Sequence, residues 1–262
     1  MRFESLDGAG RIIRAVWLAA TLLALAACGE GRQLDRLSAG ERGRVVEVRS
    51  GDVAVLDTGL VVRLVGLAAP HLTDPGGDRS RAALLGLIGG QPVALFYGGA
   101  RRDAYGRALA QVRRIKDQRW IQGEMLREGW ARVWTFADNR ALAATMLADE
   151  ARARAAGRGL WAMPAYRVLL PGEVGPDAHG FQIVEGRVAS VSEGRSGTFL
   201  DFSGDHHGFA AVIPEKALPD MIHAGVSPTL LSSRLLRLRG VVDWSGLMTV
   251  DHPEQIERLR EP

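Results

Sequence analysis

The most constraining feature of this chain is a run of three short strand-like segments between residues 44 and 67. Arg44-Val45-Val46-Glu47-Val48-Arg49 ends at Ser50-Gly51-Asp52, Val53-Ala54-Val55-Leu56 ends at Asp57-Thr58-Gly59, and a third apolar segment fills 60–67. Turns this tight leave consecutive strands only an antiparallel neighbour, and a meander of short strands curls readily into a small barrel. The 32 glycines and the aromatic content of only 6% fit many turns and short strands better than a helical bundle.

The pattern continues beyond Pro70. A loop rich in Asp and Gly leads to a helix expected at 79–87. Strands are expected at 92–97 and 107–114, with Asp103-Ala104-Tyr105-Gly106-Arg107 as the approach to the second. Helical periodicity covers 121–128 and 139–156, the latter ending at Gly157 as a C-cap would. Trp120, Trp130, Trp134 and Trp161 fall along this stretch and read as core or barrel lid. Residues 164–179 carry Pro164, Pro171, Gly172, Gly175 and Pro176, the composition of a linker. Further strands are expected at 182–191, 198–202, 209–213, 234–242 and 247–250, suggesting a second small barrel. Asp205-His206-His207 reads as a hairpin tip, because adjacent strand residues face opposite ways and chelate poorly. His252-Pro253-Glu254 reads as the start of a last helix. The expected class is β-rich α+β: a five-stranded OB-fold barrel with flanking helices, then a second OB-like barrel.

The first thirty residues carry a separate message. Arg11 and Arg14 precede the apolar run 15–27, which stops at Cys28, the only cysteine in the chain. Such a run is too short to span a bilayer, which takes roughly 20 residues, and its basic start and small-residue end describe an export signal. Leu25-Ala26-Ala27-Cys28 resembles the lipobox of bacterial lipoproteins, which implies lipidation of Cys28 and attachment to a membrane facing the periplasm. Gly29 after the cysteine implies the outer membrane rather than the inner. The resulting division is a leader at 1–27, a polar tether at 28–40, one domain at 41–163, a linker at 164–179 and a second domain at 180–262. The formal charge of +3 permits a nucleic-acid partner without demanding one.

Four segments in order resemble the thermonuclease (staphylococcal-nuclease-like) family. They are Val48-Arg49-Ser50-Gly51-Asp52-Val53; the stretch Val62-Arg63-Leu64-Val65-Gly66-Leu67-Ala68-Ala69-Pro70-His71; Asp103-Ala104-Tyr105-Gly106-Arg107-Ala108-Leu109-Ala110; and Met125-Leu126-Arg127-Glu128-Gly129-Trp130-Ala131. Gly157-Arg158-Gly159-Leu160-Trp161 fits the family's last helix. The segment from 180 onward is similar to an OB-type module attached to some bacterial members.

The resemblance implies calcium-assisted cleavage of a phosphodiester, with two aspartates on the metal, a glutamate activating water and two arginines on the phosphate. Carried over by position, Arg63 and Arg107 take the phosphate-binding places and Asp52 the main metal-binding place. Ser50 and Val53 stand for an aspartate and a threonine of the turn. Ala68 stands for the second calcium aspartate and His71 for the glutamate. The phosphate grip is kept while the metal cage and base are replaced. The expectation is therefore a catalytically degenerate module binding nucleic acid or another polyanion, with calcium held weakly by Asp52. Two rivals stand beside it. One is an active calcium-dependent nuclease whose site uses Asp52, Arg63, Arg107 and His71, completed by Asp74 or Asp78. The other is a structural envelope protein binding a protein or glycan. Arg63 and Arg107 also have a plainer reading, as partners of carboxylates at the barrel mouth.

Overall fold

The computed structural model describes residues 33–175, 178–203 and 208–259. The leader, Cys28 and Asp205-His206-His207 lie outside them.

The barrel is organised by one long strand. β1 (Ser38–Ser50) pairs through its first half with β5 (Pro92–Tyr97) and through its second half with β2 (Val53–Leu56). Register shifts between Ala39 and Arg42, and again after Val45 and Val48, bend it enough to serve both neighbours. β2 pairs with β3 (Val61–Leu64), β3 runs parallel to β6 (Ala108–Arg114), and β6 returns antiparallel to β5. The closed order is β1-β2-β3-β6-β5, the five-stranded barrel expected from the sequence. Val48, Leu56, Leu64, Leu95 and Val112 fill its core. The flanking helices are α1 (Gly77–Ile88), α2 (Ile121–Arg127) and α3 (Ala143–Ala155). Trp120 is buried and donates from its indole to Gln111 at 2.8 Å.

Several expectations change. Residues 38–40, read as tether, are already strand, because Ser38 and Ala39 find partners in Tyr97 and Phe96. The third segment is not one strand. Gly66 has φ of +87°, a conformation that side chains disfavour, and the chain turns there out of the barrel. The result is β4 (Gly66–Ala68), paired with β7 (Arg132–Trp134) in a sheet of its own. Of the segment 164–179, read as a linker, the described residues 164–175 are packed rather than loose: Tyr166 is buried and Leu169 bridges to Val184.

The second half forms a seven-stranded sheet where a second barrel was expected. Its strands are β8 (Gly180–Arg187), β9 (Ser190–Gly194), β10 (Gly197–Asp201), β11 (Ala210–Pro214), β12 (Leu235–Val242), β13 (Leu247–Thr249) and β14 (Ile256–Arg258), with α4 (Leu218–His223) between β11 and β12. The expected strand at 182–191 is interrupted at Val188 and Ala189. Taken together, β8 and β9 lead through β10 and β11 to a parallel partner β13, then β12 and back to β8. That pairing sequence repeats the barrel's. The expected terminal helix is instead a short 3-10 turn, Pro253–Gln255, running into β14, because Ile256 to Arg258 pair with Leu238 to Leu236 on β12. The half has a core of its own around Phe209, Leu236 and Met248.

The seam between the halves is polar. Arg239 on β12 is buried, holds Glu150 of α3 at 2.8 Å, donates to the Val133 carbonyl at 3.1 Å and pairs with Glu257. Thr135 Oγ1 lies 2.7 Å from His252 Nε2, and Asp251 lies 2.6 Å from that ring's Nδ1.

Candidate functional site

The β1–β2 turn places Asp52. Gly51 has no room for a side chain, since a Cβ there would lie 1.8 Å from Ser80 Oγ on α1 and 2.8 Å from Ala69. The turn is thus pressed against α1, and Asp52 is buried beside it. Ser50 donates its hydroxyl to Asp52 Oδ1 at 2.7 Å, and Arg63 lies 3.3 Å from Oδ2. Arg63 also donates to the Leu67 carbonyl at 3.3 Å, and its guanidinium stands 6.0 Å from the Trp134 ring centre.

Arg107 sits at the entrance to β6. Its Nε donates to Asp103 Oδ2 at 2.6 Å and its backbone N–H to Asp103 Oδ1 at 3.0 Å. Burial alone would raise the Asp103 carboxyl, but the hydrogen bonds from Arg107 and the Tyr105 amide outweigh it and hold the group below its usual range. The guanidinium lies 5.5 Å from the ring of Tyr105, which is 86% exposed. Because Arg63 is in register with Leu109 on the parallel neighbour, Arg107 falls two residues before that partner, just ahead of the first residue of β6. The structure therefore brings Asp52 and Arg63 into contact and sets Arg107 at the entrance to the adjoining strand. Both arginines carry carboxylate partners.

His71 is exposed on the turn after β4. Its N–H donates to Asp74 Oδ2 at 3.1 Å, and its carbonyl accepts from the Asp74 N–H at 3.0 Å. Asp74 is engaged in closing its own turn, and Asp78 is exposed in the first turn of α1. Ala68 is buried and in register with Arg132.

These donors do not fit a calcium cage. Calcium takes 6–8 oxygen ligands, largely carboxylate and carbonyl. Here Ser50 and Arg63 occupy the two oxygens of Asp52, and position 68 offers a methyl group. Among the described residues, no group of three or more His, Cys, Asp or Glu side chains is placed to hold a metal.

Motif reading missed a neighbouring set of residues. Arg132 and Trp134 alternate on β7, with Val133 buried between them. Among the described residues the side chain of Arg132 makes no hydrogen bond or ion pair, and its Nε is shut away from solvent without a partner. Burial pushes its pKa down to about 10, leaving it a cation at neutral pH, while Glu150 and Asp74 act on it only at longer range. Its guanidinium lies 4.8 Å from the Phe181 ring and 5.0 Å from the Tyr166 ring. The only sequence signal was the Arg-Val-Trp alternation, and nothing in it points to Phe181, almost fifty positions away.

Comparison with known proteins agrees with this geometry. The family described as "Staphylococcal nuclease homologue" matches residues 61–163, a span containing Arg63, Ala68, His71 and Arg107 and beginning after Asp52. The protein named "Probable staphylococcal-like nuclease CAN2" from Oryza sativa subsp. japonica is 36% identical over 115 residues, covering 44% of this chain and 29% of the relative. A second rice protein, "Probable staphylococcal-like nuclease CAN3", is 35% identical over the same shares. This chain therefore spans under a third of the rice relatives it matches. "Protein ParB" of Escherichia coli is 33% identical over 133 residues, 47% of this chain and 73% of that protein. With the closed five-stranded barrel and its flanking helices, these matches establish that the chain belongs to the staphylococcal nuclease homologue family.

Proposed function

We propose that this protein is an envelope-anchored family member that binds nucleic acid through Arg63 and Arg107 without efficient calcium-dependent cleavage. The observation that carries the reading is the fate of the acidic positions. Asp52 is engaged by Ser50 and Arg63, and Ala68 provides no ligand, while both arginines remain, Arg63 on β3 and Arg107 at the entrance to the adjoining β6. A guanidinium presents a planar fork that matches phosphate oxygens, and exchanging Asp52 or Asp103 for a phosphate keeps its charge compensated. Anchoring rests on the sequence: the apolar run 15–27 ending at Cys28 supports export and lipidation.

Hydrolysis of a fluorogenic single-stranded oligonucleotide, with and without calcium, tests the catalytic half of the proposal. The expected result is binding at low salt with no calcium-dependent cleavage. Cleavage that needs calcium and vanishes in Arg107→Ala would establish the active-nuclease reading instead. Fatty-acid labelling in cells tests the anchor, with loss of label expected in Cys28→Ser.

A further inference from the structure

Arg132 is the one arginine of the seam whose charge the described residues leave without a hydrogen bond or ion pair, although part of it is closed off from water. Taking a guanidinium out of water is unfavourable unless an anion or acceptor replaces the lost hydration. Arg239, in the same seam, has Glu150, Glu257 and the Val133 carbonyl. Arg132 has two aromatic faces, and its cross-strand partner is Ala68. Its own sheet therefore offers no counter-charge.

The rings around Arg132 continue the arrangement toward Arg63. Arg63 stands 6.0 Å from Trp134, whose ring centre lies 5.4 Å from Phe181, and Phe181 lies 4.8 Å from Arg132. Phe136, an exposed ring, adds to this row at 5.1 Å from Trp134. A row of rings with a cation at each end suits a strand that carries phosphates beside its bases. Guanidinium groups take the phosphates, and aromatic faces stack on any unpaired base. A duplex keeps its base faces covered, so this arrangement suits a single strand.

We propose that Arg132, with Trp134, Phe136 and Phe181, forms a second phosphate-and-base subsite that extends the Arg63–Arg107 grip across the seam for single-stranded nucleic acid. This rests on the nucleic-acid-binding reading above. It also makes β8, through Phe181, part of the ligand-binding surface.

The test is fluorescence anisotropy of a labelled thymidine oligonucleotide with the full chain over a range of salt. Arg132→Met is expected to weaken binding about tenfold and to flatten the log–log salt dependence by about 0.7, the share of one phosphate on a single strand. The same variant should melt no lower than wild type, because the charge it removes has no hydrogen bond or ion pair and methionine keeps an apolar side chain against the Phe181 and Tyr166 rings. Phe181→Leu, which keeps an apolar side chain and loses the ring, should weaken binding several-fold and leave the salt slope unchanged. Wild-type affinity in Arg132→Met, or a melting temperature well below wild type, would overturn the subsite and make Arg132 a structural residue. Equal affinity for a matched duplex would overturn the stacking role. Binding that falls in Arg63→Ala with Arg107→Ala but survives in Arg132→Met would refute the subsite alone. No binding by wild type at low salt would refute both proposals.

Discussion

Arg239 and Arg132 lie in the same seam and obey the same electrostatics, yet their surroundings are opposite. Arg239 is 1% exposed and, although its Nε is as unpartnered as that of Arg132, both its terminal nitrogens are held by acceptors, with Glu150 itself tied to the Val133 amide at 2.7 Å and to Arg154 at 3.3 Å. Arg132 meets only rings and a methyl-bearing neighbour. The first is a network of paired charges that ties one half of the molecule to the other. The second is an open valence at the edge of the candidate site. A buried arginine thus indicates structure or binding according to whether the fold supplies its anion.

The largest effect expected from this contrast is at Arg239. Arg239→Met removes the fully buried one of the two cations that Glu150 and Glu257 share, the other being Arg154, and should destabilise the fold by about 3–5 kcal/mol, read from urea unfolding. Arg132→Met should not destabilise it at all. Equal losses in the two variants would erase the distinction.

Arg63→Ala combined with Arg107→Ala should lower oligonucleotide affinity by about tenfold or more, since two charge-assisted contacts are lost. Stability should change much less, because both guanidiniums are partly exposed and their ion pairs are screened by solvent. A large drop in melting temperature with unchanged affinity would make both arginines structural.

Thr135→Val should cost about 1 kcal/mol by removing the partner of His252 Nε2. The smallest effect concerns pH. Burial pushes Glu257 up, but Arg239, Arg237 and Arg154 outweigh it, so its folded pKa lies below the ordinary glutamate value. Its contribution is therefore complete above the unfolded pKa, near 4.3, and is lost as pH falls through the lower folded value. Glu257→Gln should make unfolding stability less dependent on pH across that acidic range. An unchanged slope would remove Glu257 from the network.

Much of the barrel was legible because its signals are local. Alternation along 44–49 and 53–56, the turn residues between them, and the apolar run at 92–97 all act within a few positions. The break in the third strand was less visible, since Gly66 could have continued a strand and only its positive φ turns the chain toward β7. β14 was missed for a related reason. Pro253 is a fair helix starter, and pairing with β12, some twenty residues earlier, decided the matter.

The candidate site divides in the same way. Residue identity alone determined that position 68 lacks a carboxylate and that arginines stand at 63 and 107. The tertiary structure decided what those residues touch: Asp52 against Ser50 and Arg63, Asp103 against Arg107, and Arg132 against Phe181 from the other half of the chain. Charge is written in the side chain, whereas its compensation depends on which distant groups folding brings within a few ångströms. That is why the sequence determined which charges this protein carries, and only the fold decided which of them are satisfied.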